Sequence, residues 1–326
     1  MLRRIAFLAA LVLLVPVSTW AQPHGPGEWT AHPPIHPRGP AQSAIPANAY
    51  QPAEIRSIYG FNATGVGNGS GQVIAIVDAF DDPNIASDLT TFISKMPGFT
   101  PINIWNNSGC AAGGAGPHPC FQKVYAQNKL KTNGGWALEI SLDVEWAHAI
   151  APQADILLVE VQTNSFSDLM GAVQRAAGTA GVTVVSMSWG GNEFSSEAVY
   201  GSAYFAPPSG RGVTFTASAG DSGNGAEWPA ASPYVVSVGG ATLNPGVTPG
   251  STSTYVSETA WSGSGGGISA YEAEPGYQSS YPIPPTGGKR GIPDVAYVAD
   301  PNTGVDVYHR LGSPQANALI VYLSSH

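Results

Sequence analysis

The chain has 326 residues, of which 43% are hydrophobic and only 11% are charged, and its formal net charge is -9. This composition supplies a large apolar core, so an intrinsically disordered protein is excluded. An acidic chain without a run of Lys or Arg is also a poor partner for nucleic acid or for an anionic membrane surface.

The first 50 residues have the pattern of targeting and connecting sequence. Arg3 and Arg4 precede an apolar run over residues 5–15, and small residues follow near position 21, so residues 1–21 are predicted to be a secretory signal peptide. A membrane anchor is the weaker alternative, because the run is short and no second apolar span follows it. Residues 22–50 are proline-rich and aperiodic, which indicates a linker or a short pro-segment. We therefore expect an exported protein, extracellular or periplasmic.

From residue 71 onward, apolar runs alternate with helical patterns. The predicted strands are residues 73–77, 156–161, 182–187, 213–217 and 235–238, and the predicted helices are residues 85–95, 137–150 and 167–177. This order predicts an α/β fold, in which a doubly wound, mostly parallel sheet has helices on both faces. In such folds the chemistry lies at the carboxyl ends of the strands. The stretch T-A-S-A-G-D-S-G-N-G, residues 216–225, is one of those ends.

Two cysteines, Cys110 and Cys120, bracket a short stretch rich in Gly and Ala. In an oxidising compartment we expect them to close a small surface loop as a disulfide. Zinc binding is the alternative, but two thiolates and the nearby His118 make a poor set of ligands. The sequence also lacks a phosphate-loop lysine and a strand followed by G-x-G-x-x-G, so nucleotide binding is not expected.

The most informative segment is G-W-A-L-E-I-S-L-D-V-E-W-A-H-A-I-A-P, residues 135–152. At about 100° per residue, Glu139 and Asp143 fall one helical turn apart within an apolar arc that also holds Trp146 and Ile150. Two carboxylates in an apolar groove cannot easily both be ionised, so they would share a proton. Such a pair suits a general base that works at acidic pH.

The opposite arc of the same helix holds Ser141, Glu145 and His148, and we expect it to face solvent. The alternative for the Glu139–Asp143 pair is an ordinary solvated face with an unfavourable like-charge contact of a few tenths of a kcal/mol. That description fits Glu145 well, but it does not explain two carboxylates among apolar neighbours.

The E-x-x-x-D helix followed by A-P resembles the sedolisins, the serine-carboxyl peptidases. Five other stretches are similar to that family, in the same order along the chain: Y-Q-P-A-E-I-R-S-I-Y-G-F (50–61), S-M-S-W-G-G (186–191), A-S-A-G-D-S-G (217–223), A-W-S-G-S-G-G-G-I-S (260–269) and P-D-V-A-Y-V-A-D-P-N-T-G (293–304). The resemblance implies a subtilisin-like fold and a secreted serine-type endopeptidase that hydrolyses peptide bonds at acidic pH. It delimits a peptidase domain over residues 51–308 and leaves residues 309–326 as a divergent tail.

The resemblance also implies a role for each matched residue. Glu139 would be the general base and Asp143 its orienting partner. Asp221 would be the oxyanion-hole acid, which donates a hydrogen bond only while it is protonated. Trp189 and Asp78 would belong to the surrounding hydrogen-bond network, although Asp78 could equally be a turn residue at the end of a strand.

The nucleophile is where the sequence departs from the family. Sedolisins carry it in a downstream G-T-S-x-x-x-P segment, and residues 309–326 contain no such segment. Ser313 is a weak candidate because a proline follows it directly. Ser222, in G-D-S-G, lacks the all-β sequence context of a trypsin-like enzyme, and none of the histidines has the H-G-T-H context of an ordinary subtilisin.

Several expectations follow for the chain as given. The C-terminal part of the family fold is missing, and we expect this chain to be inactive; the alternative is a non-catalytic remnant or a peptide-binding pseudoenzyme. The family's calcium ligands would lie beyond residue 326, so no metal or cofactor is expected. Its partners would be peptide or protein substrates, without nucleic acid or membrane, and we expect a monomer.

Overall fold

The structure is a computed structural model. It describes residues 26–35, 49–96, 99–105, 110, 117–126, 130–206, 211–244, 255–281 and 283–310, together with the backbone of residues 36–37 and 317–323. The predicted signal peptide and Ser313 lie outside these residues. Within the described part of the chain, no helix combines the length and the apolar character needed to cross a membrane.

The helices of the described residues are α1 (Pro52–Ile58), α2 (Ile85–Lys95), α3 (Gly134–Ile150), α4 (Phe166–Gly178), α5 (Glu197–Tyr204) and α6 (Gly276–Ser279). The strands are β1 (His36–Pro37), β2 (Val73–Ala79), β3 (Asn103–Trp105), β4 (Cys120–Tyr125), β5 (Asp155–Val161), β6 (Val182–Met187), β7 (Gly191–Asn192), β8 (Thr214–Ser218), β9 (Glu227–Trp228), β10 (Val236–Leu243), β11 (Glu258–Ala260), β12 (Gly267–Ala273), β13 (Lys289–Ile292), β14 (Val295–Val298), β15 (Val305–Arg310) and β16 (Asn317–Leu323).

A nine-stranded sheet forms the centre of the described residues. Its order is β11-β10-β8-β6-β2-β5-β4-β3, and β14 pairs with β10 beside this path. All of its pairs are parallel except β10–β11. The five predicted strands correspond to β2, β5, β6, β8 and β10, and the three predicted helices to α2, α3 and α4. The doubly wound, mostly parallel α/β fold is confirmed.

The two faces of the sheet bury different side chains of the same strand. Val77 belongs to the apolar cluster that includes α4, whereas Ile76 belongs to the cluster that includes α2 and α3. Because side chains alternate along a strand, Asp78 lies on the same side of β2 as Ile76 and therefore on the side of α3. Full burial of an aliphatic side chain contributes roughly 1.5–3 kcal/mol. The position of α3 over the sheet is held by several such contacts.

The polar arc of helix α3 is buried, which corrects the expectation that this arc faces solvent. Ser141, Glu145 and His148 are each fully buried. Strand β15 covers this side of the helix, and Glu145 Oε2 accepts a 2.8 Å hydrogen bond from the backbone N–H of Tyr308. His148 Nε2 donates to the carbonyl oxygen of Thr100 at 2.8 Å. The polar arc therefore faces backbone groups from distant parts of the chain. Helical periodicity cannot predict these groups, because it describes only the helix itself.

The proline-rich N-terminal segment packs against the domain over its described residues. Trp29 is only 3% exposed and belongs to the core on the α4 side of the sheet. Strand β1 pairs with β16, which in turn pairs with β15, in a separate antiparallel sheet. Residues 26–37 are thus not a loose linker. Their assignment as a pro-segment stays a prediction, as do the domain boundaries at residues 50 and 308.

Cys110 and Cys120 form a disulfide across a sequence separation of 10. Asp155, at the start of β5, accepts a 2.9 Å hydrogen bond from the backbone N–H of Cys120. His118 Nδ1 lies 2.7 Å from the other oxygen of the Asp155 carboxylate. Because both sulfur atoms are used in the covalent bond, they are not available as the thiolate ligands that zinc would need.

Candidate active site

Helix α3 carries the carboxylate pair that the sequence singles out. The Asn133 side chain caps its first turn by accepting hydrogen bonds from the backbone N–H groups of Gly135 and Trp136, at 3.1 and 3.3 Å. Glu139 and Asp143 follow one turn apart, so their side chains leave the same side of the helix. Glu139 is fully buried and Asp143 is 5% exposed. The pair thus lies inside the protein, as the sequence predicts.

The end of β6 supplies a partner for this pair that the sequence analysis missed. Ser188 Oγ donates a 2.8 Å hydrogen bond to Oδ1 of Asp143, and Ser188 itself is buried. Ser188 lies within the S-M-S-W-G-G stretch, directly after β6. Its place just beyond a predicted strand was the available signal, because polar side chains at such ends face the site of an α/β fold.

Trp189 is hydrogen-bonded to β2, the strand that carries Asp78. The indole Nε1 of Trp189 donates a 2.6 Å hydrogen bond to the carbonyl oxygen of Val77, the residue before Asp78. Both Trp189 and Asp78 are fully buried. The structure therefore brings the ends of β6 and β2 together with α3, and it places Asp78 in the interior on the side of Glu139.

Asp221 lies in the turn that follows β8, the strand next to β6 in the sheet. Gly220 has a φ of +99°, and a Cβ there would lie 2.6 Å from Cδ of Glu227. Only glycine fits this position without strain. The turn leaves Asp221 partly exposed and Ser222 exposed at the carboxyl edge of the sheet. Asp221 is thus partly in contact with solvent at the carboxyl edge of the sheet, where β6 and β2 also end.

A further carboxyl group lies at the end of β5. Glu160 pairs in register with Asp78 across the β2–β5 ladder, so both side chains lie on the α3 side. Burial raises the pKa of Glu160 to about 8, although the ammonium of Lys123, 3.1 Å from Oε2, favours the charged form. At acidic pH this group is therefore protonated. The sequence analysis did not single it out, because Glu160 lies within an otherwise apolar strand.

An apolar groove of about 270 Å³ opens beside Asp143. Leu142, Trp146 and Tyr297 form much of its wall, and Ser186 adds a hydroxyl group. Asp143 therefore borders an apolar cavity, although its Oδ2 is itself buried.

A second group of ionisable side chains lies on the other side of α3. Ligand atoms of Asp82, Asp88 and His309 all lie within 4.8 Å of one another. Arg310 donates to both oxygens of Asp88, at 2.5 Å from Nε and 3.0 Å from its backbone N–H. Calcium needs six to eight oxygen ligands, and a group with a histidine nitrogen and a carboxylate already paired with Arg310 does not fit it. This group is instead held by ion pairs and hydrogen bonds.

The sheet order and the acidic residues at its carboxyl edge define a class of protein, the subtilisin-like α/β peptidases. Residues 107–280, more than half of the chain, match the subtilase family. The chain therefore belongs to the subtilase family, and its relatives within it are the sedolisins, which makes it a serine-type peptidase by family. The resemblance found in the sequence motifs is confirmed.

Two curated relatives support this assignment. The chain is 32% identical to kumamolisin from Bacillus sp. (strain MN-32) over 296 residues, which cover 82% of this chain and 49% of kumamolisin. It is 33% identical to sedolisin from Pseudomonas sp. (strain 101) over 129 residues, which cover 32% of this chain and 21% of sedolisin. The chain thus spans about half the length of kumamolisin.

A solved structure has the same fold. Pseudomonas sedolisin, a serine-carboxyl proteinase complexed with two molecules of pseudo-iodotyrostatin, superposes with a TM-score of 0.65 at 24% identity. The match covers 86% of this chain and 77% of that chain. At this identity the likeness supports the subtilisin-like fold alone.

Proposed function

We propose that this chain carries the acid–base and oxyanion residues of a serine-carboxyl peptidase that cleaves peptide bonds at acidic pH. The observation that supports this most directly is the buried pair Glu139 and Asp143, one turn apart on α3, with Ser188 bonded to Asp143. In this proposal Glu139 accepts the proton of the attacking hydroxyl group, and Asp143 holds Glu139 in its reactive geometry.

Asp221 completes the proposed chemistry at the carboxyl edge of the sheet. A protonated carboxyl group donates a hydrogen bond, so Asp221 would stabilise the negative charge that develops on the carbonyl oxygen of the scissile bond. An ionised carboxylate would repel that charge instead. The proposed activity therefore depends on an acidic solution, independently of the base Glu139.

We further propose that the 326 residues alone do not turn over peptides. In these 326 residues no G-T-S-x-x-x-P segment follows the P-D-V…A-D-P-N-T-G stretch, and Ser313 is followed by proline. A second candidate function is peptide binding without cleavage. The observation that favours it is the backbone pairing of residues 29–32 at the carboxyl edge of the sheet, where an extended stretch of chain is already bound.

The test of this proposal is proteolysis of an acid-denatured protein by purified residues 22–326. The assay is run at about pH 4, close to the ordinary pKa of carboxylic acids. We expect no release of peptides. Turnover that disappears in Glu139→Ala would support the site and overturn the proposed inactivity, whereas turnover that persists in Glu139→Ala would overturn the site.

If no turnover is seen, the site is tested in a completed chain. Reading the gene in the other frames beyond codon 308 shows whether a G-T-S-x-x-x-P segment follows there, and a chain restored with that segment can be assayed in the same way. We expect activity in the restored chain that is lost in Glu139→Ala. Activity that Glu139→Ala leaves unchanged would overturn the proposed base.

The remaining proposals concern the whole protein. We propose that the chain is an exported monomer and that these 326 residues hold no metal or cofactor of their own, and the apolar run at residues 5–15 behind Arg3 and Arg4 supports the export. N-terminal sequencing of protein secreted by an expression host tests this directly. We expect the mature chain to begin at Gln22, and an intact Met1 in the cell-associated fraction alone would contradict export.

A further inference from the structure

Three glutamate side chains meet where α5 packs against β12, in a part of the molecule that the proposed chemistry does not use. Glu197 is the first residue of α5 and is fully buried, and Glu272 of β12 is only 3% exposed. Glu193 lies in the loop between β7 and α5. Buried carboxyl groups need a hydrogen-bond partner or a proton, so their contacts show how this interface is held.

Glu193 binds β12 through both of its oxygen atoms. Oε1 accepts a hydrogen bond from the hydroxyl group of Ser269, and Oε2 accepts one from the backbone N–H of Ala270 at 3.0 Å. The direction of the first bond is fixed, because Ser269 Oγ itself accepts from the backbone N–H groups of Tyr271 and Glu272, at 3.1 and 2.8 Å. The hydroxyl proton is then the remaining group that can reach Glu193. Glu193 is therefore an acceptor at both oxygens, as an ionised carboxylate is.

Glu197 needs a proton to complete its contacts. Its Oε2 accepts a 2.8 Å hydrogen bond from the backbone N–H of Phe194, whereas its buried Oε1 accepts none from the residues that the structure describes. The side chain is hydrogen-bonded to the carboxyl group of Glu193. Two carboxyl groups form a hydrogen bond only when one of them carries a proton. Because Glu193 already accepts at both oxygens, we place that proton on Glu197.

Glu272 adds a second ionisable group to the same interface. A Cβ built on Gly201, one turn after Glu197, would lie 3.5 Å from Glu272 Oε1, so this carboxyl group faces the same side of α5. Its Oε1 is also buried, without a hydrogen-bond partner in the described part of the chain. Burial raises the pKa of Glu197 to about 10 and that of Glu272 to about 7, and nearby Glu193 raises both.

The cations of the neighbouring strand β13 do not neutralise these carboxyl groups. Arg290 donates to both oxygens of Asp294, at 2.7 Å from Nη1 and 2.5 Å from Nη2. Lys289 Nζ donates to the carbonyl oxygen of Tyr271 at 3.4 Å. Both cations are thus bonded to other groups, and they only partly oppose the rise in the pKa of Glu272.

Two other contacts of α5 are with neutral side chains. Gln174 of α4 donates from Nε2 to the carbonyl oxygen of Ala203 at 3.5 Å. Ser232 Oγ would lie 2.8 Å from a Cβ on Gly201. Neither side chain changes its charge with pH, so the charge at this interface is set by the three glutamates and the two cations of β13.

We propose that Glu193, Glu197 and Glu272 form a clasp that holds α5 against β12 while it is protonated and releases α5 as the protons are lost. Ionisation of Glu197 would place a second negative charge against Glu193 in a buried site and would remove the hydrogen bond between them. The clasp is a pH-sensitive device of the fold. It goes beyond the proposed function, because it involves neither Glu139 nor Asp143.

The direction of the pH dependence follows from the proton on Glu197. When α5 is released into water, Glu197 returns to the ordinary pKa of about 4.3. Above that pH the released form loses the proton, whereas the closed form keeps it until the pH approaches about 10. The clasp is therefore strongest below about pH 4 and weakens about tenfold for each pH unit above that value. In an acidic medium α5 is fixed, and near neutral pH it is looser.

Hydrogen exchange of the α5 amides measures this release. The purified chain is exchanged at about pH 5.5, about pH 6.5 and about pH 7.5, and the rates are corrected for the intrinsic effect of pH on exchange. We expect the protection factors of α5 to fall at least about tenfold per pH unit. The α4 amides are the internal reference. They should stay more protected than those of α5 at the highest pH, because they exchange only when a larger part of the domain opens.

Glu197→Gln separates the clasp from other effects of pH. The amide can accept from the Phe194 N–H and donate to Glu193, as the protonated carboxyl group does, but it cannot ionise. We expect the fall in α5 protection to be smaller by about tenfold per pH unit than in the parent chain. Asp306→Asn is the matched control, since it removes a fully buried carboxyl group outside the clasp, and α5 should respond to pH as in the parent.

A second variant keeps the test decisive if Glu197→Gln does not fold, as judged by circular dichroism. Glu272→Gln then takes its place, and it should reduce the fall below about pH 7, where Glu272 still holds its proton in the closed form. Three results would each overturn the proposal: α5 protection in the parent that does not change with pH, an unchanged response in the folded variant, or equal protection of α5 and α4 at every pH. The experiment does not depend on turnover, so a failure of the proposed peptidase activity leaves it unaffected.

Discussion

Ser188 Oγ donates a 2.8 Å hydrogen bond to Oδ1 of Asp143, and both side chains are buried. The bond joins α3 to the residue that follows β6, across 45 residues of sequence. A buried carboxylate with a fixed donor keeps one rotamer, so Ser188 fixes the orientation of Asp143. Under the proposed function, Ser188 is a positioning residue for the carboxylate pair.

We predict that Ser188→Ala destabilises the protein by about 1–3 kcal/mol, the range for a buried hydrogen bond to a group that can be charged. The free energy of unfolding is measured by urea denaturation. Ser202→Ala is the control, since the Ser202 hydroxyl group is exposed and donates to the carbonyl oxygen of Val199 within its own helix. A loss in Ser188→Ala no larger than that in Ser202→Ala would show that the Ser188–Asp143 bond adds nothing to stability.

The turn that carries Asp221 gives a second prediction. Gly220 has a positive φ, and an added Cβ would lie 2.6 Å from the Glu227 carboxyl carbon. Gly220→Ala therefore combines backbone strain with a steric clash, and we expect a loss of about 2–4 kcal/mol in the free energy of unfolding. Gly212→Ala is the matched control, because no atom lies within 4 Å of a Cβ built there. Equal stability of the two variants would contradict the tight packing of Gly220 against Glu227.

Much of the fold could be predicted because its signals are local. Strands buried on both faces of a parallel sheet consist of nearly continuous apolar runs, and β2, β5 and β6 have that composition. The carboxylate pair could be predicted for a similar reason, since Glu139 and Asp143 lie on the same helical stripe as Trp146. Each of these patterns involves only residues that are close together in the sequence.

The rest of the site depends on contacts between distant residues. Ser188 meets Asp143 only because α3 packs over β2, the neighbour of β6 in the sheet, and Trp29 packs against aromatic rings from three other parts of the chain. The prediction that the polar arc of α3 faces solvent was wrong for the same reason. The helical pattern places Glu145 at the surface, but Glu145 Oε2 accepts a hydrogen bond from the backbone N–H of Tyr308, 163 residues later. Periodicity shows which residues share a side of a helix and not what covers that side.

The buried position of Glu145 leads to a third prediction. On a solvent-facing arc, Glu145→Lys would be tolerated. In this structure it replaces a fully buried acceptor with a cation and leaves the Tyr308 N–H without its partner. We expect Glu145→Lys to lose at least about 3–5 kcal/mol and to accumulate as unfolded protein. Thr90→Lys, at an exposed position of α2, is the control and should fold normally by circular dichroism. A folded Glu145→Lys variant of near-parental stability would restore the solvent-facing assignment.

The protein should lose stability as the pH rises above neutrality. Burial raises the pKa of Asp306 and of Glu272 to about 7, and the pKa of Glu160 to about 8. Nearby Glu54 adds to the effect at Asp306, and Glu193 at Glu272, while Lys123 opposes it at Glu160. These folded-state pKa values exceed the ordinary pKa of about 4 for the unfolded chain. The folded state therefore binds more protons, and the stability it gains is lost as the pH rises through 7 and 8.

Between about pH 6.5 and about pH 8.5 the folded chain loses the protons of these three groups, and Glu197, whose pKa burial and the neighbouring Glu193 raise to about 10, stays protonated and steepens the fall. Burial lowers the pKa of His148 and of His309, so both histidines are neutral there in the folded state and add little slope. We expect the free energy of unfolding to fall by at least about 2–4 kcal/mol across the window, as measured by urea denaturation in matched buffers. Asp306→Asn should remove about 1 kcal/mol of that fall, because the amide does not ionise, whereas Glu28→Gln at the exposed surface should leave it unchanged. Stability that is constant or rises across the window would mean that these buried carboxyl groups ionise as freely in the folded chain as in the unfolded one.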